Sequence, residues 1–337
     1  MDKDILEKSS SQFHTYSDLV EQQLLMPVEE ILTKSGKRIR AKMVKAGFFF
    51  GHTPIEHTPN ETTEQNLNIL GEIIETIHAG SLIIDDIQDK SELRRGEPAL
   101  YKFLGEPLAI NAGNFLYFWP MTWLEQSSMS DSQQLEILRL YHRTLTAAHC
   151  GQAIDLGVSI DKIETSEVFP TCMKSLELKT GELMALSMGF GAIASGASKQ
   201  RVDLLLEFGQ RFGVSLQMFD DLGNLLNESD PKHLEDLILR RPSFIWAAAA
   251  SLTSAEQYRE FKMAVKALGT MEARGDTQLL WDWIEKTQFI IRAKRRARDF
   301  ADEAMRILRK DIRLGAEYKR AFEIVHNLRE RIENAYE

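Results

Sequence analysis

The segment Ser81 to Gly96, SLIIDDIQDKSELRRG, sets three carboxylates into five positions, Asp85, Asp86 and Asp89, and follows them with Arg94 and Arg95. On a helix, Asp85 and Asp89 lie within ~40° of one another while Asp86 is rotated ~100° from Asp85. Like charges on one face destabilise a bare helix, and the apolar SLII before them argues for a half-buried position that a cation must compensate. A second cluster has the same character: LQMFDDLGNLLNE places Asp220, Asn224 and Glu228 at i, i+4 and i+8, with Asp221 beside Asp220. A lone DDxxD is often a solvated helix end, but two such clusters embedded in apolar sequence are hard to explain as surface decoration. If the two helices faced each other across a cavity, their oxygens could hold several Mg²⁺ ions, which favour carboxylates, waters and substrate phosphates. Zinc would want His or Cys, and neither cluster contains one. Acids at the rim of an apolar cavity suit a substrate with a diphosphate head and a hydrocarbon tail.

Helices must position these groups. Leu67, Leu70, Ile73, Ile74 and Ile77 make one helical stripe ahead of the first cluster, and the same period returns in VDLLLEFGQRFGVSLQMFDDLGNLL and AKRRARDFADEAMRILRKDI. Strict alternation is scarce, so the spacing predicts an all-α fold of roughly ten or more helices. Pro120, in YFWPMTW, predicts a break there. The polar stretch His52 to Thr63 reads as a loop between two helices and not a domain linker, so residues 1–337 are expected to form one domain. With 337 residues, 43% of them hydrophobic, the chain can bury a large core. A net charge of −9 argues against a nucleic-acid partner. No run of about 20 apolar residues predicts a transmembrane segment, and no apolar leader is evident, so a cytoplasmic protein is expected. Cys150 and Cys172 have no metal-type spacing and read as core residues.

In combination and in order, the motifs resemble those of the trans-isoprenyl diphosphate synthases, the polyprenyl synthetase family. They are GKRIR with Lys37 and Arg40, IHAGSLIIDDIQD with His78, and RRGEP with Arg94 and Arg95. AINAGN and GQAID, with Gln152 and Asp155, come next, then KTGEL with Lys179 and Thr180, and LQMFDDLGN with Gln217. The resemblance runs from Ser35 to Ser243 and implies a single large helical bundle with a central cavity, the isoprenoid synthase-like fold. It implies a reaction in which an allylic prenyl diphosphate ionises, isopentenyl diphosphate attacks the cation, and the departing diphosphate removes a proton. Asp85, Asp89 and Asp220, with Asn224, would hold three Mg²⁺ ions. Arg94, Lys179 and Lys232 would grip the allylic diphosphate, and Arg241 aligns with a later lysine of that region. Lys37, Arg40, His78 and Arg95 match the isopentenyl diphosphate site, while Thr180 and Gln217 fall near the reacting carbons. A homodimer is also implied, with the helices around Asn111 to Trp123 as candidate contributors.

Several positions depart from the family pattern. Asn224 stands where aspartate is usual, Arg241 where lysine is usual, Ile84 where many members carry histidine, and Ser35 and Ala41 replace a usual glycine and proline. A guanidinium still binds phosphate, but it is not a simple replacement for an ammonium. These departures admit two other readings: a class I terpene cyclase on the same scaffold, for which Asp220, Asn224 and Glu228 fit the metal triad, or a non-catalytic partner subunit. The retained second diphosphate site counts against the cyclase, and the nearly complete ligand set counts against the subunit. Taken alone, Lys37, Arg38 and Arg40 could be a basic helix start and His78 a core histidine. In the family that the chain resembles, a bulky side chain one turn before the first cluster blocks the growing tail; those positions are Gly80 and Ser81 here, so the resemblance implies a product of geranylgeranyl diphosphate or longer, unless Phe115, Tyr117, Phe118 or Trp119 closes the tunnel from the facing helix.

Overall fold

The computed structural model describes residues 18–33, 36–51, 59–229, 233–270, 273, 275–311 and 318–333. The fold is all-α, as the periodicity predicts, with one hairpin of two-residue strands. The chain divides into two compact units, residues 1–139 with 187–199, and residues 140–186 with 200–337.

The first unit contains α1 (Ile39–Gly51), α2 (Glu61–Asp89), the hairpin β1 (Leu93–Arg94) and β2 (Glu97–Pro98), and α3 (Glu106–Phe118). It also holds the beginning of α4 (Asp131–Gly157) and the end of α6 (Glu182–Ala194). Helix α2 starts where the Asn60 side chain accepts from the Thr63 N–H at 2.8 Å, the expected use of an N-cap asparagine. It ends at Lys90, which turns left-handed and returns its N–H to the carbonyls of Asp86 and Ile87. The stripe Leu67, Leu70, Ile73, Ile74 and Ile77 is wholly buried, and α2 packs against α1 and α3. By length and composition α2 is apolar enough to cross a membrane, but its apolar side chains are already covered by protein, as in a core helix. Helix α3 stops at Phe118, and a 3-10 segment, Trp119–Gln126, carries Pro120, which cannot continue the α-helical ladder.

The second unit contains the rest of α4 and α6, α5 (Thr165–Leu176), α7 (Lys199–Leu226), α8 (Glu235–Ile238) and α9 (Phe244–Leu252). It continues through α10 (Ala255–Ala267), α11 (Gln278–Thr287), α12 (Phe289–Asp311) and α13 (Lys319–Glu333). An aromatic series knits α9 to α12: Trp246 meets Phe261 edge-on at 5.0 Å, Phe261 meets Trp283 at 4.8 Å, and Trp283 meets Phe289 at 5.0 Å. Between α5 and α6 the backbone widens into a π-helical turn, Glu177–Gly181. Such turns recur at functional sites because the extra residue re-aims side chains, and this one carries Lys179 and Thr180. Cys172 is buried, as expected, whereas Cys150 is exposed on α4, so it is not a core residue.

Candidate active site

In the first unit the acids and arginines are arranged by helical phase. Asp86 faces inward, 4% exposed, and Asp85 remains 22% exposed. The cation that the buried acid requires is Arg94: its Nε lies 2.9 and 3.0 Å from the two Asp86 oxygens, and Nη2 bonds Oδ1 as well. The same Nη2 is 3.8 Å from Asp85 Oδ2. Arg94 is held in position by the hairpin that follows α2. Arg95 and Gly96, with φ of 55° and 82°, form its two-residue turn between the Arg94 and Glu97 partners. Both central residues of such a turn need positive φ, and glycine adopts it without strain. Asp89 is half-buried at the end of α2.

Two turns of α2 upstream, at His78, the basic residues gather. The imidazole of His78 is held well below its ordinary pKa by burial and by the guanidiniums of Arg40, Arg95 and Arg94, so it is neutral at pH 7. Arg95 also lies against Gly36, where a Cβ would come within 3.0 Å of Nη2, which places it beside the GKRIR loop. Lys37 is exposed on that loop. Arg38 has a structural role: it pairs with buried Glu72, and the neighbouring Glu75 accepts from the Ala41 N–H at 3.0 Å at the start of α1. The signal for this was the pair Glu72 and Glu75, two acids one turn apart on an otherwise apolar helix face. Near the first cluster, burial and the charge of Asp85 push the Tyr117 phenol up to about 12, leaving it protonated.

Gly80 does not face an open pocket. A Cβ there would lie 2.8 Å from Leu116 Cβ and 2.9 Å from the Gly113 carbonyl, so α2 and α3 cross in close contact at this point. The expectation that Gly80 leaves room for the tail is therefore corrected at this residue.

In the second unit a hydrogen-bonded series runs through the second cluster. Thr180 Oγ1 donates to Gln217 Oε1 at 3.0 Å, and Gln217 Nε2 donates to Asp221 Oδ1 at 2.8 Å. Asp221 Oδ2 accepts the Phe244 N–H at 2.7 Å, capping the start of α9. Asp221 is buried, which pushes its carboxyl up to about 7 against the lowering effect of those two donors, while Asp220 is exposed and Asn224 half-buried. Asp155 accepts from Lys179 Nζ at 2.7 Å and from Arg241 Nη1 at 3.2 Å, so the two basic residues meet on one carboxylate. Asp236 joins this group: burial, and next the charges of Asp221 and Asp155, raise its pKa well above the usual carboxylate range. Lys232 lies outside the described residues. Among the described residues, no three His, Cys, Asp or Glu side chains are close enough to hold a metal ion by themselves.

The motifs include Asp155 without giving it a role, and neither Asp236 nor His233 stands out in the sequence. That ring is buried and its Nδ1 lies 3.1 Å from the Asn224 carbonyl, closing the last turn of α7. Nothing in the local sequence marks a histidine nine residues beyond Asn224 as its partner.

Comparison with known proteins agrees with these motifs. A short chain isoprenyl diphosphate synthase of Methanocaldococcus jannaschii is 29% identical over 231 residues, 67% of this chain and 65% of that one. A geranylgeranyl pyrophosphate synthase of Apiospora sacchari is 31% identical over 68% of this chain and 66% of its own length. The chain thus spans about two thirds or slightly less of the curated relatives it matches. Among solved structures, a farnesyl diphosphate synthase of T. brucei superposes with a TM-score of 0.79 at 18% identity, covering 98% of this chain and 96% of that one. A geranylgeranyl pyrophosphate synthase of Corynebacterium glutamicum gives 0.76 at 23% identity, covering 99% and 96%. Residues 21–277 match the polyprenyl synthetase family, which includes the whole run of motifs from GKRIR to the second acid cluster, and the chain belongs to that family.

Proposed function

We propose that this protein is a Mg²⁺-dependent prenyltransferase that condenses an allylic prenyl diphosphate with isopentenyl diphosphate to give geranylgeranyl diphosphate or a longer all-trans product. Family membership supports the reaction class. The observation that carries the two-substrate reading is that Arg40 and Arg95 act on buried His78, with Arg95 lying against Gly36 beside Lys37, while Arg94 is taken up by Asp86. Cations left beside one neutral histidine, in a chain of net charge −9, argue for a second polyanion that a cyclase would not need.

The donor set fits a hard cation. Carboxylates of Asp85, Asp89 and Asp220 and the amide oxygen of Asn224 are oxygen ligands of the kind Mg²⁺ takes, with diphosphate oxygens and water expected to complete the shells of about three ions. Bound there, the metal supplies Lewis-acid stabilisation of the leaving diphosphate. Supporting this, a C. glutamicum synthase of the same fold is described as complexed with isoprenyl diphosphate and magnesium. The Asp86–Arg94 pair fixes the end of α2 and so orients Asp85. Lys179 and Arg241, restrained by Asp155, and Lys232 hold the allylic diphosphate as its C–O bond breaks. Lys37, Arg40 and Arg95 bind the isopentenyl diphosphate, and neutral His78 adds a hydrogen-bond donor without a further charge. Thr180 and Gln217 present oxygens beside the cationic carbon. The new C–C bond forms from the isopentenyl double bond, and the proton lost passes to the diphosphate leaving group.

A homodimer is proposed on the same basis, through the exposed apolar side chains Phe103, Ile110 and Phe118 on and just before α3. The two compact units are proposed to act as one synthase domain, since their boundaries fall inside the continuous helices α4 and α6.

The test is an incubation with Mg²⁺ and geranyl, farnesyl or geranylgeranyl diphosphate, with and without labelled isopentenyl diphosphate. Longer labelled diphosphates are expected. A hydrocarbon or alcohol formed without isopentenyl diphosphate would establish a cyclase instead, and no product in any arm would favour a non-catalytic subunit.

A further inference from the structure

Outside the family-matched segment, α12 and α13 border an open hollow of about 540 Å³ lined by Asp302, Met305, Arg306, Arg309, His326 and Arg329. Its charges do not cancel. On α12, Asp302, Met305, Arg306 and Arg309 fall at i, i+3, i+4 and i+7, one face of the helix. Arg329 Nη1 lies 2.6 Å from Asp302 Oδ1 and its Nε lies 2.6 Å from Glu333 Oε1. Arg298 approaches the other Glu333 oxygen at 3.7 Å. Two arginines and two acids therefore neutralise one another. His326 lines the hollow and lies 3.3 Å from Glu330, which does not line it; that pair is neutral with a protonated imidazole and carries one negative charge at the edge of the hollow with a neutral one.

Arg306 and Arg309 remain as a surplus. Arg306 donates through Nε to the Asp302 carbonyl at 3.3 Å, which fixes the stem of its guanidinium, and among the described residues neither arginine forms an ion pair. Two uncompensated guanidiniums on one helix face call for a dianion, and the planar fork of arginine matches phosphate oxygens in pairs. The hollow is far larger than a bare ion needs and lies within the range of small-molecule sites, with the thioether of Met305 offering apolar contact.

We propose that this hollow is a binding site for a small phosphate- or diphosphate-bearing molecule, held by Arg306 and Arg309 with Arg329 as a fixed third donor, and separate from the residues assigned to catalysis. Calorimetric titration of the full chain with inorganic diphosphate, in Mg²⁺-free buffer, tests it. Wild type is expected to show binding at this hollow beside that at the two catalytic diphosphate positions. The R306Q/R309Q variant should lose the hollow's class alone, its dissociation constant rising at least 10-fold, and K37Q/R40Q/R95Q should keep that class while losing the isopentenyl position. Both substituted arginines are exposed, so unchanged circular dichroism and thermal midpoint would show that the fold is intact. An R306Q/R309Q isotherm that superimposes on wild type would overturn the site. So would equal retention of the hollow's class in R306Q/R309Q and R306K/R309K, since the proposal requires the charge and ranks Lys above Gln. Prenyl transfer is not read out, so the result stands whether or not the proposed activity is found.

Discussion

Asp155 Oδ2 accepts Lys179 Nζ at 2.7 Å and Arg241 Nη1 at 3.2 Å, joining residues 24 and 86 positions away in the chain. Both cations are assigned to the allylic diphosphate, so this carboxylate sets their spacing before substrate arrives. Asp155→Asn removes the charge and keeps the shape. Charge-assisted hydrogen bonds contribute roughly 1.5–3 kcal/mol each, so kcat/KM for the allylic substrate is expected to fall by about 10- to 100-fold. The constant for isopentenyl diphosphate should change less. Steady-state kinetics with each substrate varied in turn checks this, and an equal loss for both would place Asp155 in general stability.

His78 makes stability depend on pH. Its folded pKa is depressed below the model-peptide value of about 6.5 by burial and by three arginines. The unfolded chain therefore binds more protons than the folded one just below pH 6.5, and stability rises with pH through that window. Acidification from pH 7 to 5 is expected to destabilise the protein, and His78→Gln should flatten that slope. Denaturant midpoints measured across the interval would show it. A diphosphate bound at the arginines should oppose the effect by screening their charge.

Gly80 lies where α2 and α3 touch, so Gly80→Ala is an overpacking change, costing typically 1–3 kcal/mol. A fall of several degrees in thermal midpoint is expected, and Gly80→Phe should be worse tolerated still. Ser81, half-buried with its hydroxyl donating to the His78 carbonyl, is the milder site at which to test tail length. Ser81→Phe is expected to shorten the product, and an unchanged product would show that the tail takes another route.

The exposed apolar residues of the first unit supply a test of assembly. Phe103 and Phe118 are each 71% exposed and Ile110 is 42% exposed, an arrangement costly to leave in water. The unaltered protein is expected to sediment as a dimer, and Ile110→Asp with Phe118→Asp as a monomer at the same concentration. Dimers persisting in the double variant would place the contact elsewhere.

Much of this was legible because helical periodicity is local. The stripe from Leu67 to Ile77 identified α2, Pro120 marked the end of α3, and the two acid clusters with their flanking motifs led to the family. Sequence phase also separated Asp86 from Asp85, but the residue that would neutralise Asp86 depended on how the hairpin folded back. The lone glycine at 80 read as open space because nothing in its own segment reveals Leu116 and Gly113 across the crossing.

The amino-acid sequence by itself determined the helical class, the order of the motifs and the residue types available for diphosphate and metal. Only the tertiary structure decided which member of each aspartate pair is buried, that Asp155 gathers Lys179 and Arg241, that Arg38 is held by Glu72, and that α12 and α13 leave two arginines in surplus. The physical reason is range. A 3.6-residue repeat is written in neighbouring positions, whereas ion pairing and desolvation depend on side chains brought together from distant parts of the chain.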